Sequence, residues 1–163
     1  MSFTIAVNPT IVKPYRFHRA NNPVVTQEVE LPDGIHYSIT GHEDRIGIAT
    51  KTQLELFSDC GFTRDRFMMQ LHTLASVESA HLVLELSIAH IFDSPPAGSQ
   101  MPSKSVYGSV IAWAERYAVV PWFCGDRKMA EKTTYSILDR WYRDHVLGEH
   151  GQSLYRNARR QAK

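Results

Sequence analysis

The sequence predicts an α/β domain with a mixed central sheet flanked by helices. Three observations predict it. Short β-branched or alternating segments crowd the first third of the chain, as half-buried strands do. Beyond them, apolar residues at helical spacing alternate with compact apolar runs, the pattern of helices packed on a sheet. The chain has 163 residues, of which 43% are apolar and 21% charged, which suits one domain with its own core.

Phe3 to Val7 reads as a first strand, ended by Asn8-Pro9 because proline removes a ladder donor. Lys13 to Phe17 follows as an extended or turn segment. Val24 to Leu31 alternates apolar and polar residues and reads as a half-buried strand. Pro32-Asp33-Gly34 then marks a turn. Ile35 to Thr40 and Arg45 to Lys51 are two more strands, with Ile46 and Ile48 facing one way. Leu54, Leu56 and Phe57 predict a short helix closed near Gly61. Thr63 is positioned to cap a longer helix carrying Phe67, Leu71 and Leu74. His81 to Leu86 is a compact strand, followed by a short helix near Ile88 to Phe92. Residues 93–102 hold three prolines, a glycine and two serines, and form a loop. A helix capped by Ser103 runs to about Tyr117 with Val106, Val110 and Trp113 on one face. Val119 to Cys124 is a last buried strand, and Asp126 starts a final helix to about Val146.

Composition narrows the function. A formal net charge of +1 gives no global attraction to nucleic acid or anionic lipid. The two cysteines, Cys60 and Cys124, are too few for a disulfide framework and are expected as reduced thiols. No apolar run approaches the ~20 residues a membrane span needs. No charged start followed by an apolar stretch marks a signal peptide, so a cytoplasmic location is the expectation.

The order of these motifs resembles the XPF-type endonuclease domain, a variant of the PD-(D/E)xK nuclease fold. The resemblance runs over roughly residues 3 to 143. Val7-Asn8-Pro9-Thr10-Ile11 stands where that family has a strand and DxRE, and Lys13 to Phe17 follows at the matching distance. Leu31 through Tyr37-Ser38-Ile39 resembles the L-x-x-GDYxI segment with one extra residue. Ile48 to Thr52 stands in the place of I-ERKS, with Glu55 where the family has its following Asp. Arg66-Phe67, the strand ending in Val83-Leu84-Glu85, Trp113 to Tyr117 and Trp122 to Arg127 complete the match.

The departures fall together on the chemistry. Hard divalent ions want anionic oxygen ligands, and phosphodiester hydrolysis needs the ion to generate hydroxide and stabilise the leaving oxygen. Here Asn8 replaces the first Asp, Thr10 and Ile11 the Arg and Glu, His36 the Asp of GDY, and Ala49 and Thr50 the Glu and Arg of ERK. Lys51 and Glu55 are retained. No catalytic residue, metal or cofactor is therefore expected. A divergent metal-dependent endonuclease, using magnesium or manganese around His36, Glu43, Lys51 and Glu55, is the enzyme alternative.

Other candidates carry bland readings beside sharp ones. The eight histidines show no paired ligand spacing. His36 and His42 flank a strand and, with Glu55, are the nearest approach to a zinc set. Glu85 is expected to hydrogen-bond backbone or an arginine, and Asp126 to cap its helix. Lys51 is either structural or a retained phosphate contact. Arg156, Arg159, Arg160 and Lys163 form a basic tail from residue 147 onward, expected to be flexible and offered as a DNA-contacting arm. Trp113, Tyr117 and Trp141 are either core or, as the resemblance implies, a subunit interface formed by C-terminal helices. The functional expectation is a non-catalytic domain, residues 1–146, of phage or other mobile-element type. It acts in DNA processing as a homodimer or beside an XPF-like subunit, with DNA as a further partner. A protein-binding partner that never touches DNA is the third class.

Overall fold

A computed structural model describes residues 3–18 and 23–149. Six strands form one sheet in the order β2-β1-β3-β4-β5-β6. They are β1 (Thr4–Val7), β2 (Val25–Glu28), β3 (Tyr37–Ile39), β4 (Ile46–Lys51), β5 (Ser79–Leu84) and β6 (Val120–Phe123). The sheet is mixed. β3 runs antiparallel to β1 and β4, while β1/β2, β4/β5 and β5/β6 are parallel. The helices are α1 (Gln53–Cys60), α2 (Arg64–Leu74), α3 (Ile88–Asp93), α4 (Ser103–Tyr117) and α5 (Arg127–His145).

Side-chain alternation along the central strands builds two cores, one on each face. Ile46 and Ile48 of β4 join Ile5, Val7, Tyr37, Ile39 and Val83 against Ala130, Leu138 and Trp141 of α5. Ala49, offset by one position, faces the other way with Ala6, Leu82 and Leu84. There it meets Leu56 and Phe57 of α1, Phe67, Leu71 and Leu74 of α2, and Val106, Val110 and Trp113 of α4. Gly47 lets α2 come close to the sheet. A Cβ there would sit 3.2 Å from Leu74 Cδ1 and 3.3 Å from atoms of Ile35 and Val77.

Two strands differ from expectation. β2 was expected to be half-buried and β6 buried. All four residues of β2 are exposed, and β6 is at best half-buried. Both lie at sheet edges, where neighbours cover less of each residue. Two caps also differ. Thr63 occupies the N-cap of α2, but its hydroxyl donates to Asp59 Oδ1 (2.8 Å) instead of accepting from the helix. Ser103 is the first residue of α4 and Pro102 takes the cap position without a side-chain bond. Asp126 caps α5 as expected, accepting from the Met129 N–H at 2.7 Å. Among the described residues no helix is long and apolar enough to cross a membrane.

Candidate functional site

The ends of β1 and β4 and the start of α1 converge on a cavity of about 510 Å³. Thr10, His36, Lys51, Glu55, Asp59 and Arg66 are among its lining residues. Three of the residues singled out from sequence therefore meet here: His36, Lys51 and Glu55. Glu43 does not line it; its carboxylate instead accepts from the Gly41 N–H at 3.0 Å in the turn before β4.

Several polar groups in and behind this cavity are committed within the chain. Asn8 is 4% exposed. Its amide Nδ2 donates to the carbonyls of Leu31 (3.1 Å) and Ile35 (2.8 Å), and its Oδ1 accepts from the Thr10 N–H and hydroxyl. A carboxylate could make the second pair of bonds but not the first, so the amide ties the end of β1 to the chain leading into β3. His36 accepts at Nδ1 from the Thr50 N–H at 3.0 Å, with the Thr50 hydroxyl at 2.8 Å. That bond places the ring proton on Nε2. Burial, aided by the nearby Lys51 ammonium, pushes the His36 pKa down to about 4, so the ring is neutral.

Lys51 closes the floor. Its ammonium lies 2.9 Å from Asp59 Oδ2 and 4.5 Å from the Phe67 ring centroid. Glu55 is held in the capping box of α1, accepting from the Thr52 N–H at 2.7 Å and the Thr52 hydroxyl at 2.9 Å. Ala49 is buried and contributes a methyl group to the core, and Ile11 packs on the α5 face. Two cations, Lys51 and Arg66, face three carboxylates, Asp33, Glu55 and Asp59, so the lining is one charge negative. A divalent ion needs several free anionic oxygens pointing at one centre. Among the described residues no three His, Cys, Asp or Glu side chains converge in that way. The donors present do not fit a catalytic divalent ion. His42 is not brought to His36 and Glu55; its ring lies 5.3 Å from that of Trp141.

A second set of contacts was only partly foreseen. Glu85, at the end of β5, accepts from the Tyr15 hydroxyl (2.8 Å) and from Arg127 Nη1 (3.0 Å). Arg127 also donates to the carbonyls of Lys13 and Pro14. Glu85 and Arg127 thus pin the segment after β1 to the sheet, which is the arginine partner expected for Glu85.

The aromatic residues offered as an interface sit differently from that expectation. Trp113 is 1% and Trp141 4% exposed, because both face the sheet from their helices, and Tyr117 is partly buried against the same core as Trp113. Trp113 is enclosed in the core, whereas Trp141 borders an open groove. Beside Trp141 lies an apolar groove of about 690 Å³ between β5, β6 and α5, lined also by His81, Trp122, Met129 and Ile137. Trp122 is 39% and Met129 45% exposed, and the Trp122 indole N–H donates to His81 Nδ1 at 3.1 Å. Sequence reasoning placed Trp122 in a buried strand. Trp122 and Val120, two apart on β6, are both exposed, so this face of the strand is open. Arg156, Arg159, Arg160 and Lys163 lie outside the described residues.

No family model and no curated protein matches the sequence. Solved structures do match the fold. The XPF protein from Aeropyrum pernix in complex with DNA superposes with a TM-score of 0.62 at 18% identity, covering 87% of this chain and 66% of that one. The structure described as XPF from Aeropyrum pernix superposes with a TM-score of 0.59 at 16% identity, covering 93% of this chain and 71% of that one. This chain thus spans about two thirds of those proteins and has the XPF-type nuclease fold, with the mixed sheet and flanking helices that the sequence predicted.

Proposed function

We propose that this chain is a nuclease-fold subunit that has given up metal-dependent cleavage and acts by pairing with a second subunit and holding DNA. One observation carries the reading. Of the positions where the nuclease pattern has metal ligands, Asn8 and His36 are tied into the chain's own hydrogen bonds, and Ile11 and Ala49 pack as apolar side chains. The Asn8 amide donates to two backbone carbonyls and His36 accepts from Thr50, while the family's lysine is neutralised by Asp59. Closing a site in this way stabilises the scaffold and leaves its outer surfaces for use.

Pairing is supported by the groove beside α5. It presents Trp122 and Met129 at its rim over an apolar floor, the composition of an interface core. The second subunit is either another copy or an XPF-like relative. DNA contact is supported by the superposed protein's DNA complex and by the basic residues Arg156, Arg159, Arg160 and Lys163. The negative lining of the cavity and the Lys51–Asp59 pair turn phosphate away from the former metal site, so in this reading the tail supplies the contacts. Such binding is electrostatic and salt-sensitive.

Two measurements test this together. The purified chain should have the molar mass of a pair in solution. It should also retard DNA in a mobility shift at low salt, with the shift weakening after removal of residues 151–163. A monomer that never shifts DNA would instead indicate a protein-binding partner.

A further inference from the structure

The two edges of the sheet are built differently. At the β6 edge the Cys124 N–H donates to the Leu84 carbonyl at 2.9 Å. Backbone groups alternate sides along a strand, so Trp122 and Cys124 address β5 while Pro121 and Phe123 address the open side. Pro121 has no N–H to offer there, which blocks addition of a further strand.

The β2 edge has no such block. Its register with β1 runs from Thr4↔Val25 to Val7↔Glu28 and continues with the Val29 N–H donating to the Val7 carbonyl at 3.0 Å. By the same alternation Val25, Gln27 and Val29 address β1. Thr26, Glu28 and Glu30 direct their N–H and C=O groups outward. Residues 25–30 contain neither proline nor lysine, and the charged side chains along this edge are Glu28 and Glu30 alone. All four strand residues are exposed, so neither face of β2 is covered.

Charge selects the occupant. Residues 23–33 carry Glu28, Glu30 and Asp33 and no Lys, Arg or His. Two copies of β2 laid side by side would set glutamates against glutamates, and DNA phosphates would be repelled. An extended protein segment with spaced Lys or Arg would both complete the ladder and offset the acids.

We propose that β2 is a strand-addition site for an extended basic segment of another protein. This surface is separate from the α5–β6 groove and from the closed cavity, and it stands whether or not the chain pairs or holds DNA. The probe is a soluble peptide alternating arginine with threonine, added to the full chain while backbone amide exchange is followed by NMR. Exchange at Thr26, Glu28 and Glu30 should slow on addition, with Gln27 and Val29 little changed. Thr26→Pro removes one outward donor without touching the β1 ladder, and should weaken the peptide about tenfold, the loss of roughly one net hydrogen bond. Glu28→Lys with Glu30→Lys, which keeps every backbone donor, should abolish that binding and accept an alternating glutamate–threonine peptide instead. The inference is overturned if the peptide leaves those three amides unchanged or if the charge reversal has no effect. It is equally overturned if the amides are already protected in a self-pair without peptide, or if single-stranded DNA protects them instead.

Discussion

The Lys51 ammonium lies 2.9 Å from Oδ2 of Asp59, with only 11% and 10% of the two side chains exposed. The residue that the nuclease pattern uses against phosphate is here one half of a nearly buried ion pair. Taking one partner away leaves a charge in a poorly solvated place, which costs far more than the pair contributes.

Asp59→Asn should therefore destabilise the fold by about 3 kcal/mol or more. Lys51→Met combined with Asp59→Leu should recover most of that loss, to within roughly 1.5 kcal/mol of the parent, because no buried charge is left unpaired and only the part-buried Thr63 hydroxyl loses its acceptor. Urea unfolding midpoints of the three proteins check both statements.

Asn8→Asp restores the acid of the nuclease pattern on paper. In this structure it removes the two N–H bonds to the Leu31 and Ile35 carbonyls and sets a carboxylate against them. A loss of about 2–3 kcal/mol is expected, the cost of buried acceptors left without donors. The same unfolding assay reads it, and cleavage in magnesium should not appear with this change alone.

His36 and His81 are both held near pKa 4 by burial, His36 with help from Lys51. Their ordinary value is 6.5. Between pH 6.5 and 4 the unfolded chain binds protons that the folded chain refuses, so stability is full above that window and falls as the pH drops through it. Each histidine contributes at most about 1.4 kcal/mol per pH unit to that slope. His81→Gln should flatten the loss measured by thermal or urea unfolding between pH 7 and 4. An unchanged slope would show that the ring takes up its proton in the folded state.

Trp122→Ala with Met129→Ala empties the rim of the α5–β6 groove. If the groove is the pairing surface, the exchange should cost about 2 kcal/mol or more of association free energy, as loss of an aromatic anchor does. Light scattering at micromolar concentration should then return a single chain's mass. Fold stability should change little, since both side chains are substantially exposed.

The core was legible from period alone. Ile46 and Ile48 on one face of β4, and Phe67, Leu71 and Leu74 along α2, are buried where their spacing puts them. Edges were less legible. An apolar run such as residues 119–124 reads the same in the middle of a sheet and at its rim, and only the strand order separates them. At the site, the replaced positions could be read but their new partners could not. Asp59 was passed over, although it shares the buried face of α1 with Leu56, Phe57 and Cys60. An acid on an apolar helix face asks for a cation, and Lys51, eight positions earlier, answers it across space. Likewise Glu85 was readable as an arginine partner, but its hold on Tyr15 depends on a contact between residues 70 apart in sequence.

The most direct test of the closed site is cleavage of branched and single-stranded DNA by the purified chain across a titration of magnesium and of manganese. The predicted result is intact DNA at every metal concentration, with the same outcome for His36→Ala and Lys51→Ala. Metal-dependent cleavage by the parent chain that disappears in either variant would contradict it and establish a working, rearranged nuclease site.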